Sequence, residues 1–126
     1  MYATAREKLE AAKNLRAAGY YNDSLSRAYY ASFHTVSMLL FLYDQAYSRH
    51  GQLIGAFYRD FIATGKLPKE LGKALGRLYD KRQTADYDVF DRASLEDADQ
   101  GTMDAEEIIA AIKSLLENEL SITLAE

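Results

Sequence analysis

At 126 residues, 48% of them apolar, with a formal net charge of -4, the chain is long enough to bury one core and too short for two ordinary domains. The acidic balance argues against a broad basic face for duplex DNA and leaves room for a local cationic pocket that holds a nucleotide or one RNA strand. The lack of Cys removes disulfide scaffolds, thiolate metal sites and cysteine nucleophiles.

The opening run Met1-Tyr2-Ala3-Thr4-Ala5-Arg6-Glu7-Lys8 is charged and helical in pattern, unlike a signal peptide, and no apolar run approaches a membrane span. A single domain over residues 1–126 of a cytoplasmic protein is therefore expected. The periodicity predicts a first helix over about residues 4–18, with Tyr2, Ala5, Leu9, Ala12 and Leu15 as its apolar stripe and Lys13 and Arg16 near the negative end of its dipole. Gly19 closes it. The short connection over 20–23 then implies an antiparallel hairpin.

The second helix, about residues 21–46, is apolar nearly all round, which marks it as central. Arg27 and His34 interrupt that surface. Seven residues return them to nearly the same angle, about 20° apart and roughly 10 Å along the axis, so they face the same way. Arg49 and His50 follow at its end, where basic residues favour the dipole. A third helix over about 52–63 places Leu53, Ile54, Phe57 and Phe61 at helical spacing, and the single Pro, Pro68, follows its stop.

Residues 69–86 read as a fourth helix with Leu71, Leu75 and Leu78 inward. Gly72 and Gly76, four apart, either let another helix approach closely or only loosen this one. Arg82 and Asp86, also four apart, pair as a local clasp or else contribute Arg82 to the Arg27 and His34 pocket. After a loop over 87–93, Ser94 and Asp97 form a capping-box-like start for a last helix to about residue 120. Leu95, Ala98, Ile108, Ile109, Ile112, Leu115 and Leu116 are its apolar positions, and Gly101 suggests a weak point near 100–102. The tail over 121–126 is expected to fray. No strand pattern appears, and the fold class is all-α, a bundle of about five helices with an antiparallel hairpin at its centre.

An imidazole titrating near neutrality is a candidate general acid or base, and a guanidinium can grip a phosphate with two donors. Arg27 and His34 suit metal-free RNA cleavage, with His34 acting on the 2'-hydroxyl or the leaving group and Arg27 stabilising charge on the phosphorus oxygens. The same spacing also suits a buried polar contact or an interface ion pair. Tyr20, Tyr21, Tyr29 and Tyr30 cluster near Arg27 and fit a core margin, a subunit interface or a base-stacking platform. Tyr30 and Arg82 are the candidate substrate-binding residues. Neither His34 nor His50 follows a Glu at the spacing of a di-iron bundle, and there is no phosphate loop, Gly-x-Ser-x-Gly elbow or zinc spacing, so no metal or cofactor is expected.

The run Ser26-Arg27-Ala28-Tyr29-Tyr30-Ala31-Ser32-Phe33-His34, then Arg49-His50-Gly51, then Phe61 through Gly72, then Arg82-Gln83-Thr84-Ala85-Asp86-Tyr87, resembles the HEPN domain family, above all its small stand-alone prokaryotic members. The resemblance implies an all-α bundle that usually dimerises, and in many members a metal-independent ribonuclease, often a toxin. It also implies a small nucleotidyltransferase-fold partner protein in many cases. The family's Arg-x(4 to 6)-His motif falls on Arg27 and His34, with six residues between them, and active members bring two such motifs together at a dimer cleft. Nuclease-active members commonly carry a polar residue directly after the motif arginine, where this chain has Ala28. The alternative implied by non-nucleolytic members is a module that binds a nucleotidyltransferase-fold partner. Val36 stands where some members carry a tyrosine that a partner nucleotidylates, so that regulation does not carry over.

Overall fold

The computed structural model of the chain describes residues 2–43, 45, 49–87, 92–121 and 124. Five helices run through them, and no strand occurs among the described residues: α1 (Tyr2–Ala17), α2 (Tyr21–Leu42), α3 (His50–Phe57), α4 (Lys69–Tyr87) and α5 (Leu95–Glu119). The bundle is all-α.

Helix α1 buries Tyr2, Ala5, Leu9 and Ala12, the three- and four-residue spacing of one helical face. It ends because Gly19 takes φ +88°, a conformation that carries no Cβ penalty in glycine. The Gly19 N–H donates to the Arg16 carbonyl and the Tyr20 N–H to the Leu15 carbonyl, the paired bonds of a Schellman cap. The chain reverses within three residues and enters α2 at Tyr21, so the expected connection over 20–23 is shorter in fact. The Ser24 hydroxyl donates to the Ala12 carbonyl at 2.7 Å and ties the two arms of this hairpin together.

Helix α2 touches α1, α3, α4 and α5 and is the central element. Leu25, Ala28, Tyr29, Ala31, Val36, Met38, Leu39 and Leu40 are buried along it. Its buried Ser32 and Thr35 hydroxyls donate to the Ala28 and Ala31 carbonyls one turn back, which satisfies polar groups that burial would otherwise penalise. The helix ends at Leu42 rather than near 46, because the Gln45 N–H reaches back to the Leu40 carbonyl, an i to i−5 closure that takes the chain out of α-helical register. Positions 44 and 46 lie outside the described residues.

Arg49 and His50 do not close the second helix. Arg49 is the N-cap of α3 and His50 its first residue, so they stand at the positive end of a helix dipole and the favourable C-terminal placement expected for them is wrong; the His50 side chain lies outside the described residues. Past Phe57 the helix continues as a π-helical turn, Tyr58–Ile62, closed by the Ala63 N–H on the Tyr58 carbonyl at 2.8 Å. Phe57 and Phe61 stack within the core at 6.2 Å, while Tyr58 crosses to α4 and donates its hydroxyl to the Gly72 carbonyl.

That crossing explains the two glycines of α4. A Cβ at Gly72 would lie 2.8 Å from the Tyr58 ring and one at Gly76 would lie 3.4 Å from its hydroxyl, so the small residues admit one aromatic side chain. Leu71, Ala74, Leu75 and Leu78 of α4 are buried. Helix α5 opens on the expected capping box, with the Asp97 N–H donating to the Ser94 hydroxyl at 3.1 Å and the Ser94 N–H to the Asp97 carboxylate at 3.0 Å. The expected weak point at Gly101 is absent, since α5 is continuous through it. Gly101 is buried, and a Cβ there would meet the Leu25 side chain at 2.6 Å, so the glycine admits α2 at close range. Leu95, expected inward, is 46% exposed, because it precedes the first turn that faces α2. Most of the tail over 121–126 and of the loop over 87–93 lies outside the described residues.

Candidate functional site

Arg27, Tyr30 and His34 stand at i, i+3 and i+7 of α2 and so share one face. The face is not sealed. Arg27 is exposed, and Tyr30 and His34 are half-buried. Arg27 and Tyr30 line an open groove with Lys8 and Leu15 of α1 and with Asp23 and Ser26 of the first turns of α2. Neither Arg27 nor His34 takes part in an ion pair or hydrogen bond among the described residues.

The His34 ring sits beside two aromatic rings, with centroids 6.5 Å from Tyr30 and 6.0 Å from Phe33. Burial pushes its pKa below the ordinary imidazole value, and the charges of Lys8 and of the chain's amino group act in the same direction. Each effect disfavours a second positive charge in this position. The imidazole is therefore neutral at pH 7 and able to accept a proton.

Arg82 comes from α4, fifty-two residues along the chain from Tyr30. Its guanidinium lies over the Tyr29 ring at 5.5 Å and the Tyr30 ring at 5.1 Å and donates to the Tyr30 hydroxyl at 2.8 Å. The cation is thus held by aromatic faces and a phenol oxygen. Tyr29 is fully buried, and burial pushes its phenol far above the usual value, opposed by the Arg82 charge. Tyr30 joins the two parts, since its ring lines the groove beside Arg27 while its hydroxyl is held by Arg82. The Asp86 side chain, proposed as a local partner of Arg82, lies outside the described residues.

The fold thus brings Tyr30 and Arg82 into direct contact and sets both beside the Arg27 and His34 face. Lys8 and Phe41 were not singled out from the sequence. Lys8 directly precedes the buried Leu9 and is itself half-buried, a border position that the first helix's stripe marks without telling what it faces. Phe41, another seven residues beyond His34, is 62% exposed, and Tyr20, seven before Arg27, is 61% exposed. The seven-residue recurrence of Arg27, His34 and Phe41 along α2 is a signal that could have been read.

Among the described residues no helix is long and apolar enough to cross a membrane. The family model of the HEPN domain matches residues 1–115. A "UPF0332 protein" of Thermotoga maritima is 37% identical over 114 residues, which cover 90% of this chain and 86% of that protein. "Putative toxin MJ0142" of Methanocaldococcus jannaschii is 35% identical over 95 residues, covering 75% of this chain and 65% of that one. "Putative toxin MJ0605" of the same organism is 33% identical over 112 residues, covering 89% and 83%. Since the family model runs through α1 to α4 and most of α5, the chain belongs to the HEPN domain family.

Proposed function

We propose that this chain is an RNA-binding ribonuclease of the toxin type, metal-independent, with a composite site at the cleft of a homodimer. The observation that carries the reading is the shared, solvent-reaching face of α2, on which Arg27 and His34 have no ion-pair or hydrogen-bond partner among the described residues. Membership in the HEPN domain family and the names of two relatives support the same reading.

In this mechanism a neutral His34 removes the proton of a ribose 2'-hydroxyl. The 2'-oxygen forms a bond to phosphorus as the bond from phosphorus to the 5'-oxygen breaks, and a protonated imidazole delivers a proton to that leaving oxygen. Arg27 donates to the non-bridging oxygens, where charge accumulates. One copy of the chain offers one imidazole on this face, whereas the reaction uses two proton transfers at once. A second copy supplies the other. The exposed Phe41 ring, seven residues beyond His34 on α2, is apolar surface that a second α2 would cover. Tyr30 provides a ring for base stacking, held in place by Arg82.

The test is cleavage of a mixed RNA pool with chelator present, comparing wild type with His34→Ala and Arg27→Ala. Cleavage by wild type alone, with helix content and dimer retained in the variants, is expected. Equal background in all three overturns the reading. A second reading, a non-catalytic module that binds a nucleotidyltransferase-fold partner, draws on Phe41, an exposed aromatic anchor that cleavage itself does not use. A dimer that persists in Phe41→Glu while partner binding is lost would favour it.

A further inference from the structure

We propose that the groove between α1 and α2 is a phosphate subsite for single-stranded RNA adjoining the Arg27 and His34 pair, with Lys8 as its second cation. The inference rests on the ribonuclease reading and adds a residue and a substrate register to it.

The groove unites a guanidinium, an ammonium and a hydroxyl, from Arg27, Lys8 and Ser26, over a floor that includes Leu15 and the Tyr30 ring. Several described cations are matched, Lys13 with Glu106, Arg16 with Asp99, Lys66 with Glu119, Arg77 with Asp104 and Lys81 with Asp97. What sets Lys8 and Arg27 apart from other surface cations unmatched among the described residues, such as Lys73, is that they line one groove together. Lys8 and Arg27 form no ion pair among the described residues. The one carboxylate lining the groove, Asp23, is exposed in the first turn of α2. Two cations that line one groove repel each other, and an anion between them turns that repulsion into attraction.

Lys8 is half-buried, so its stem lies along the helix pair while the ammonium remains at the groove. Its charge is also felt at His34, which ties it electrostatically to the second member of the pair as well as geometrically to the first. The two cations differ in use. A guanidinium fits two oxygens of one phosphate in a fork, and an ammonium is a point charge with three rotatable donors. Arg27 therefore takes the phosphate nearest the chemistry and Lys8 an adjacent one. Two cations in an otherwise acidic chain suit a short single strand, since a duplex footprint needs many more phosphate contacts.

The experiment uses the full chain and a fluorescent 2'-O-methyl oligouridylate, which cannot react through its 2'-oxygen, with anisotropy followed across a salt series. Wild type, Lys8→Gln, Lys8→Arg and, as a surface control, Lys73→Gln are compared. Lys8→Gln should weaken binding roughly tenfold at low salt and reduce the slope of log affinity against log salt by about 0.7, the value for one phosphate contact on a single strand. Lys8→Arg should retain most affinity, and Lys73→Gln should behave as wild type. In parallel, the His34 imidazole followed by NMR should titrate higher in Lys8→Gln. The groups that face His34 are Lys8 of α1, whose charge and that of the chain's amino group lower its pKa, and the Tyr30 and Phe33 rings of α2. Binding and salt slope equal to wild type in Lys8→Gln, with Arg27→Ala impaired, would overturn the subsite and leave the ribonuclease reading standing, even if the His34 titration moved. No binding by wild type would remove both.

Discussion

The two faces of the bundle carry the same residue types in opposite conditions. Between α4 and α5, Arg77 grips Asp104 with two bonds of 2.8 and 3.1 Å, Gln100 adds a third at 2.9 Å, and the carboxylate is only 2% exposed. One turn along, Lys81 reaches Asp97 at 3.2 Å, and that carboxylate also closes the cap of α5. Between α1 and α2, Arg27 and Lys8 line an open groove without forming an ion pair among the described residues. A buried carboxylate makes a cation structural, because removing the cation strands the carboxylate. A cation facing water with no such partner can be exchanged between water and a ligand. Arg82 is a third condition, held over two tyrosine rings at the edge of the candidate site.

The comparison breaks most visibly through activity and stability measured side by side. His34→Ala should lower RNA cleavage by about 10²- to 10⁴-fold, the usual contribution of a positioned acid or base, with an unchanged urea midpoint. Comparable loss of both would move His34 to the structural class. Arg77→Ala should do the reverse, destabilising the fold by about 1 to 2 kcal/mol, because Arg77 is half exposed and Asp104 keeps its Gln100 hydrogen bond, while cleavage per folded molecule stays near wild type. The double variant Arg77→Met with Asp104→Leu should recover much of that stability in the same urea titration. Failure to recover would mean that the pair contributes more than its own satisfaction.

A smaller effect is expected at the intermediate case. Arg82→Lys keeps the charge and loses the planar stack, so thermal unfolding should show a loss of about 1 kcal/mol. The Tyr30 ring should become more mobile by NMR relaxation, and an unaltered Tyr30 would separate it from Arg82.

The smallest effect is in pH. The folded His34 pKa lies below its ordinary value, so the unfolded chain binds the proton more readily than the native state. Its contribution to stability is present above the unfolded value of about 6.5 and is lost as pH falls through the folded value. The acid limb of the cleavage profile should likewise lie below 6.5. An NMR titration of His34 above 6.5 would reverse the sign of both.

Helical periodicity placed Tyr2, Leu9, Leu53, Phe57, Leu75, Ile108 and Ile112 in the core, and all are buried. Local chemistry was equally legible at Gly19 and at the Ser94 and Asp97 capping box, because a positive φ and a side-chain cap are settled within a few residues. Gly72, Gly76 and Gly101 were not. Their meaning lies in Tyr58 and Leu25, which arrive from other helices. Arg49 and His50 were misassigned because no Pro or Gly marks the end of α2, and the turn that ends it is a backbone closure on Leu40.

A period of 3.6 residues decides which side chains share a face of one helix, and this is why Arg27, Tyr30 and His34 could be grouped from the chain alone. Which helix lies opposite that face depends on how the apolar stripes of all five satisfy one another at once. Packing therefore decided that Lys8 of α1 faces the groove, that Arg82 of α4 covers Tyr29 and Tyr30, and that Arg27 remains at the surface. The residue types of a site are written along a single helix, and their charge environment is set by the neighbours that burial brings to it.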